Sequence, residues 1–151
     1  AGGVQMAADS RSEARKRLDV VGVLKGVDWR GLGVELVVLH GSALRSEAPR
    51  DLDLVAILRE GVDEDEVALR VMELAEELLG LEADLYVVKD PGDANCFLLW
   101  EALSHGVIVY QEPAGREKLV RAINMCYDFM LSREKLGYTE TLVKRVAKSA
   151  A

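Results

Sequence analysis

Asp51 and Asp53, in the stretch HGSALRSEAPRDLDLV of residues 40–55, stand two positions apart at the start of an apolar run. Strand alternation would put both carboxylates on one face and Leu52 and Leu54 on the other. At strand rise the two acids sit about 6–7 Å apart. At an effective dielectric near 20 they repel by roughly 2–3 kcal/mol. A divalent cation turns such repulsion into ligation. Asp84, in EADLYVV, opens another apolar run in the same way. Carboxylates are hard oxygen ligands suited to magnesium, which keeps several waters and is usually completed by substrate phosphates. A pair of such ions clamps the attacking and leaving oxygens of an in-line phosphoryl displacement. Gly41 would let the backbone approach a phosphate closely, and the amides and hydroxyl at Ser42 would point at it from the start of a helix or nest.

Each of these residues has a plainer reading on its own. Asp51 and Asp53 fit a strand with one wet face, Asp84 a solvent residue at a strand end, and Ser42 a helix cap. The combination favours the chemical reading. Arg45 and Arg50 fit phosphate contacts or ordinary loop arginines. His40, beside the turn, reads as structural, and His105 as a cation near a helix C-terminus. Trp29 and Trp100 read as packing residues. Cys96 and Cys126 each lie in an apolar helical pattern and are expected to be buried free thiols in a reducing cytoplasm. A zinc site would want closely paired Cys or His, which the sequence does not offer.

The elements that must position these groups can be read from periodicity. Residues 9–25 suggest a helix with Leu18, Val21 and Leu24 at helical spacing. Residues 34–39 are a β-branched run ending at His40-Gly41-Ser42. Residues 43–47 suit a short helix that Pro49 stops, and 51–59 are a second strand, apolar on both faces from Val55 onward. Residues 63–80 are the clearest helix, with Val67, Val71, Leu74, Ala75 and Leu78 in a stripe, acids in the first turn and Gly80 at the end. A third strand over 82–88, a helix over 94–105, a fourth strand over 107–110 and a long helix over 114–135 follow. That last helix is expected to bury Leu119, Val120, Ile123, Cys126, Tyr127, Met130 and Leu131. A short basic helix from Thr139 ends the chain. This order predicts an α/β (α+β) fold with a small mixed four-stranded sheet flanked by helices and a C-terminal helical extension.

The chain has 151 residues, half of them hydrophobic, and a net charge of −7. That suits one ordinary domain: residues 1–113 as the core with its N-terminal helix, and 114–151 as helices packed on it. Residues 51–113 carry a net charge of −13, against +2 before them and +4 after them. So acidic a middle argues against a grip on duplex nucleic acid, which needs a basic footprint. No run approaches the length of a membrane span, and the opening residues lack the apolar region of a secretory signal.

"HGS" after a hydrophobic strand, then "DLDL", then "ADLYV" resembles the nucleotidyltransferase superfamily related to DNA polymerase beta. Size and layout are most similar to its minimal nucleotidyltransferases (MNT), the antitoxin half of HEPN/MNT pairs. "EALSHGVIVYQE" is also similar to the family's helix–glycine–strand ending, so the resemblance covers residues 32–112. It implies that Asp51 and Asp53 hold the metals, two magnesium ions being the family's cofactor. It further implies that Asp84 completes that site or assists deprotonation of the acceptor. Gly41, Ser42 and Arg45 would bind the nucleoside triphosphate, with ATP as the first candidate. The family transfers nucleoside monophosphates, in some members onto a tyrosine of the HEPN partner. The chain departs from the pattern in a shorter loop between Ser42 and Asp51 and in lacking a glycine after Arg45. Residues 114–151 lie outside the resemblance and would pack on the core or serve as a homo-oligomer or partner surface. The alternative is a non-catalytic antitoxin that neutralises its partner by binding.

Overall fold

The computed structural model describes residues 20–45 and 49–128. The first half of the expected N-terminal helix, the Arg45 side chain, the long helix beyond residue 128 and the basic helix from Thr139 lie outside them. Four strands are present, β1 (Val34–His40), β2 (Asp51–Leu58), β3 (Glu82–Val88) and β4 (Val107–Gln111). The helices are α1 (20–25), α2 (Ser42–Arg45), α3 (Glu64–Leu79), α4 (Cys96–His105) and α5 (113–128). The strands form one mixed sheet in the order β3-β2-β1-β4. β1 is antiparallel to β2 and β4, while β2 and β3 run parallel with α3 as the crossover.

Alternation along the strands divides the core in two. Leu39, Leu52, Leu54, Ala56 and Ala83 face one side, where they meet Val20 and Leu24 of α1, Trp29, and Val67, Val71 and Ala75 of α3. Leu36, Val38, Val55, Ile57 and Val88 face the other, against Leu99 and Ala102 of α4 and Leu119, Ala122 and Cys126 of α5. A central strand covered on both faces must be apolar on both, which is why β2 reads Val-Ala-Ile-Leu at its end. Helix α3 is bounded by local chemistry. The Asp63 side chain accepts from the Asp65 amide at 2.9 Å, three acids occupy the first turn, and Gly80 closes the helix at φ +64°. Among the described residues no helix is long and apolar enough to cross a membrane.

The structure corrects three expectations. Cys96 and Cys126 are not free thiols; they are joined as a disulfide, with their Cα atoms 5.2 Å apart. Sequence separation says nothing of this distance, which arises because the first turn of α4 packs beside α5. Cysteines joined in this way do not point to a reducing compartment. Trp100 is 53% exposed, on the outer side of α4, whereas Trp29 is buried as expected. Helix α5 buries the narrow seam of Leu119, Ala122 and Cys126, with Ile123 partly buried beside it, and leaves Val120 and Tyr127 exposed. One docked helix face is narrower than the stripe the periodicity allowed.

The start of α5 is fixed by a second device. A Cβ at Gly115 would collide with the backbone of Glu35, so only glycine lets the helix approach β1 this closely. Glu35, 5% exposed, is the one buried acid among the described residues. Lys118 Nζ lies 3.2 Å from its Oε2, donates to Oε1 at 3.3 Å and donates to the Leu58 carbonyl at 3.2 Å. Removing one partner of a buried pair leaves an uncompensated charge. Lys118→Met should therefore cost about 3 kcal/mol by urea denaturation, and Glu35→Leu added to it should recover most of that loss.

Candidate functional site

The two strand registers assemble the acids. Pairing across β2 and β3 sets Asp51 opposite Glu82, Leu52 opposite Ala83, Asp53 opposite Asp84 and Leu54 opposite Leu85. Pairing across β1 and β2 sets His40 opposite Asp53. One row therefore crosses three strands: His40, Asp53, Asp84. The next rows on that face are Val38, Val55, Tyr86 and then Leu36, Ile57, Val88. The polar row is the open end of a face whose remainder is closed by α4 and α5. Adjacent strands lie about 4.8 Å apart, so Asp53 has one acid beside it and another two residues along its own strand.

Gly41 shapes the seat of Asp53. It adopts φ +81°, in the left-handed region that disfavours side chains, and a Cβ there would run into Asp53 Oδ2. The turn after β1 thus wraps directly against that carboxylate. Ser42 is exposed at the first position of α2, and its hydroxyl reaches the Asp51 carbonyl only at a long 3.5 Å. Asp51 and Asp84 are exposed and Asp53 is half-buried. Asp53 is thus brought together with Asp84 and Gly41, while Ser42 stands at the rim; Arg45 contributes its backbone to the end of α2.

The donor chemistry suits a hard divalent cation, since the row offers carboxylate oxygens and a single imidazole. The carboxylates as they stand are spread along the sheet. Among the described residues, no three of His, Cys, Asp and Glu gather closely enough to hold a metal ion. The one resolved titration shift lies elsewhere. Burial, and then the Glu112 carboxylate beside it, push the Tyr110 phenol on β4 above its ordinary value.

Two members of this surface escape a residue-by-residue reading. Glu82 pairs with Asp51, and His40 pairs with Asp53. The signal for Glu82 is present in the sequence. Asp-Leu-Asp-Leu and Glu-Ala-Asp-Leu are the same acid–apolar–acid–leucine pattern, and the parallel pairing lays one against the other in register. His40 becomes a neighbour only once the antiparallel register is known.

Comparison with solved structures identifies the architecture. A toxin–antitoxin complex with AMP-PNP contains a chain that superposes with a TM-score of 0.54 at 14% identity, covering 83% of this chain and 98% of that one. The chain has the minimal nucleotidyltransferase fold. A mutant MntA–HepT toxin–antitoxin matches with a TM-score of 0.54 at 12% identity, over 83% of this chain and 98% of that one. A Shewanella oneidensis complex of tri-AMPylated HEPN toxin with MNT antitoxin matches with a TM-score of 0.51 at 14% identity, over 86% and 98%. No family model matches the sequence, and no curated protein does.

In this minimal nucleotidyltransferase fold the Gly41 seat can be tested apart from activity. Gly41→Ala should cost about 1–3 kcal/mol in urea denaturation, from backbone strain together with the collision at Asp53. Asp53→Ala in that background should recover only the part due to the collision.

Proposed function

We propose that this chain is a magnesium-dependent nucleotidyltransferase that moves a nucleoside monophosphate from a nucleoside triphosphate, ATP first, onto an acceptor hydroxyl. The observation that carries the reading is the His40–Asp53–Asp84 row, with Gly41 wrapped against Asp53. The fold supports it, as do the AMP-PNP in one neighbour and the AMPylated toxin in another. Asp51 and Asp53 would hold magnesium, with Asp84 completing the set or accepting the proton of the attacking hydroxyl. Bound there, the metal would supply charge neutralisation at the phosphates. Gly41 would let the triphosphate approach the turn, Ser42 would donate to it, and Arg45 would help to bind it. The acceptor oxygen attacks the α-phosphorus, the bond to the β-phosphate bridging oxygen breaks, and pyrophosphate leaves. Positioning and electrostatics carry such a transfer without a covalent enzyme intermediate. The AMPylated toxin of that neighbour makes a HEPN-type protein the first acceptor to try, and the family resemblance makes a tyrosine its acceptor group. An ATP-using antitoxin of this kind would work in the cytoplasm.

A second reading is favoured by one observation, the carboxylates that are not gathered around a point. The chain would then neutralise its partner by covering it. Calorimetric titration of AMP-PNP with and without magnesium separates the two. Catalysis requires magnesium-dependent binding that Asp51→Asn abolishes, and a transfer rate that Asp53→Asn lowers at least a hundredfold, roughly 3 kcal/mol of barrier. Absence of nucleotide binding, with partner neutralisation intact in the Asp51, Asp53 and Asp84 triple alanine variant, would establish the covering role instead.

A further inference from the structure

Helix α5 is fastened at two separate places. Near its start, Gly115 lies against the Glu35 backbone and Lys118 pairs with Glu35 and the Leu58 carbonyl. Near residue 126 the fastening is covalent, through the disulfide to Cys96. Helix α4 has its own tether, because the Asn95 amide donates to the Tyr86 hydroxyl on β3 at 2.6 Å and Asn95 also caps the helix. Loss of the disulfide would therefore leave α4 on the sheet and the start of α5 in place. Only the second half of α5 would be released.

The disulfide is also open to chemistry. Trp100, Leu103, Ile123 and Cys126 line a groove of about 210 Å³ between α4 and α5. Cys126 is 3% exposed overall, so this groove is its route to solvent. Cys96 is the first residue of α4, where the helix dipole stabilises a thiolate. A sulfur at such a position is a good leaving group in exchange.

We propose that Cys96–Cys126 is a redox-cleavable latch, opened by a dithiol reductant, that releases residues 121–128 of α5 while the sheet and α4 stay in place. One thiolate of the reductant attacks Cys126 Sγ through the groove, the S–S bond breaks, and the electron pair leaves with Cys96 as thiolate. The reductant's second thiol then resolves the mixed disulfide. Two electrons and two protons pass to the protein, giving two cysteine thiols, and the reductant becomes a disulfide. This latch is independent of the transferase reading.

The test uses the full chain purified without reductant. Alkylation and mass spectrometry should find neither Cys96 nor Cys126 modified before treatment with dithiothreitol, and both modified after it. Hydrogen exchange in residues 121–128 should rise roughly tenfold or more on reduction, with β1 and β2 unchanged, and should return on reoxidation. Cys96→Ser without reductant should match the reduced protein and ignore dithiothreitol. Free thiols in the untreated protein would overturn the latch. So would unchanged exchange in α5, or a loss of protection spread over the strands, which marks a general staple.

Discussion

The site depends on the register of β2. This strand is held antiparallel by β1 and parallel by β3, and both pairings run through Asp53. A slip of one residue would turn Asp51 and Asp53 into the core against α3 and bring Leu52 and Leu54 to the polar face. Leu52, Leu54, Val55 and Ile57 are all essentially inaccessible to solvent, so the core forbids that slip from both sides. Packing at one end of the strand thereby fixes where charge stands at the other. The acids need no contacts of their own to be aligned; their positions follow from those of the leucines and valines.

What the sequence disclosed follows from how local each cause is. Strand β3 and helix α3 are bounded by residues within a turn of their ends, Asp63 and Gly80 among them, and their limits match periodicity closely. The acid–apolar–acid–leucine pattern was likewise visible in Asp51–Leu54 and in Glu82–Leu85. Contacts between distant elements were not. The approach of Cys96 to Cys126 depends on how α5 crosses α4, and the exposure of Trp100 depends on which side of α4 meets the sheet. The partnership of His40 with Asp53 needs the hairpin register. The seat at Gly41 requires the carboxylate to be located first. A glycine before a serine is compatible with many turns.

Glu35 and Lys118 show a different economy from the apolar core. A buried ion pair adds little net stability, because removing both charges from water costs much of what their attraction returns. Its value here is placement. Lys118 donates to Glu35 Oε1 and to the Leu58 carbonyl at the end of β2, so the start of α5 has one rotation in which these groups meet. That rotation turns Leu119 and Ala122 toward Leu36, Val38 and Ile57, closing the face whose open end carries the acid row.

The seat at Gly41 makes the order of evolutionary loss asymmetric. Position 41 is constrained twice, by its φ of +81° and by the carboxylate that occupies the space of a side chain. Position 53 carries no such backbone constraint, since a smaller or neutral residue fits the same seat. A descendant can lose Asp53 while keeping the glycine, whereas the reverse path runs into both constraints. Decay of the site would be written first at 53, leaving a glycine turn as the fossil of the carboxylate it once enclosed.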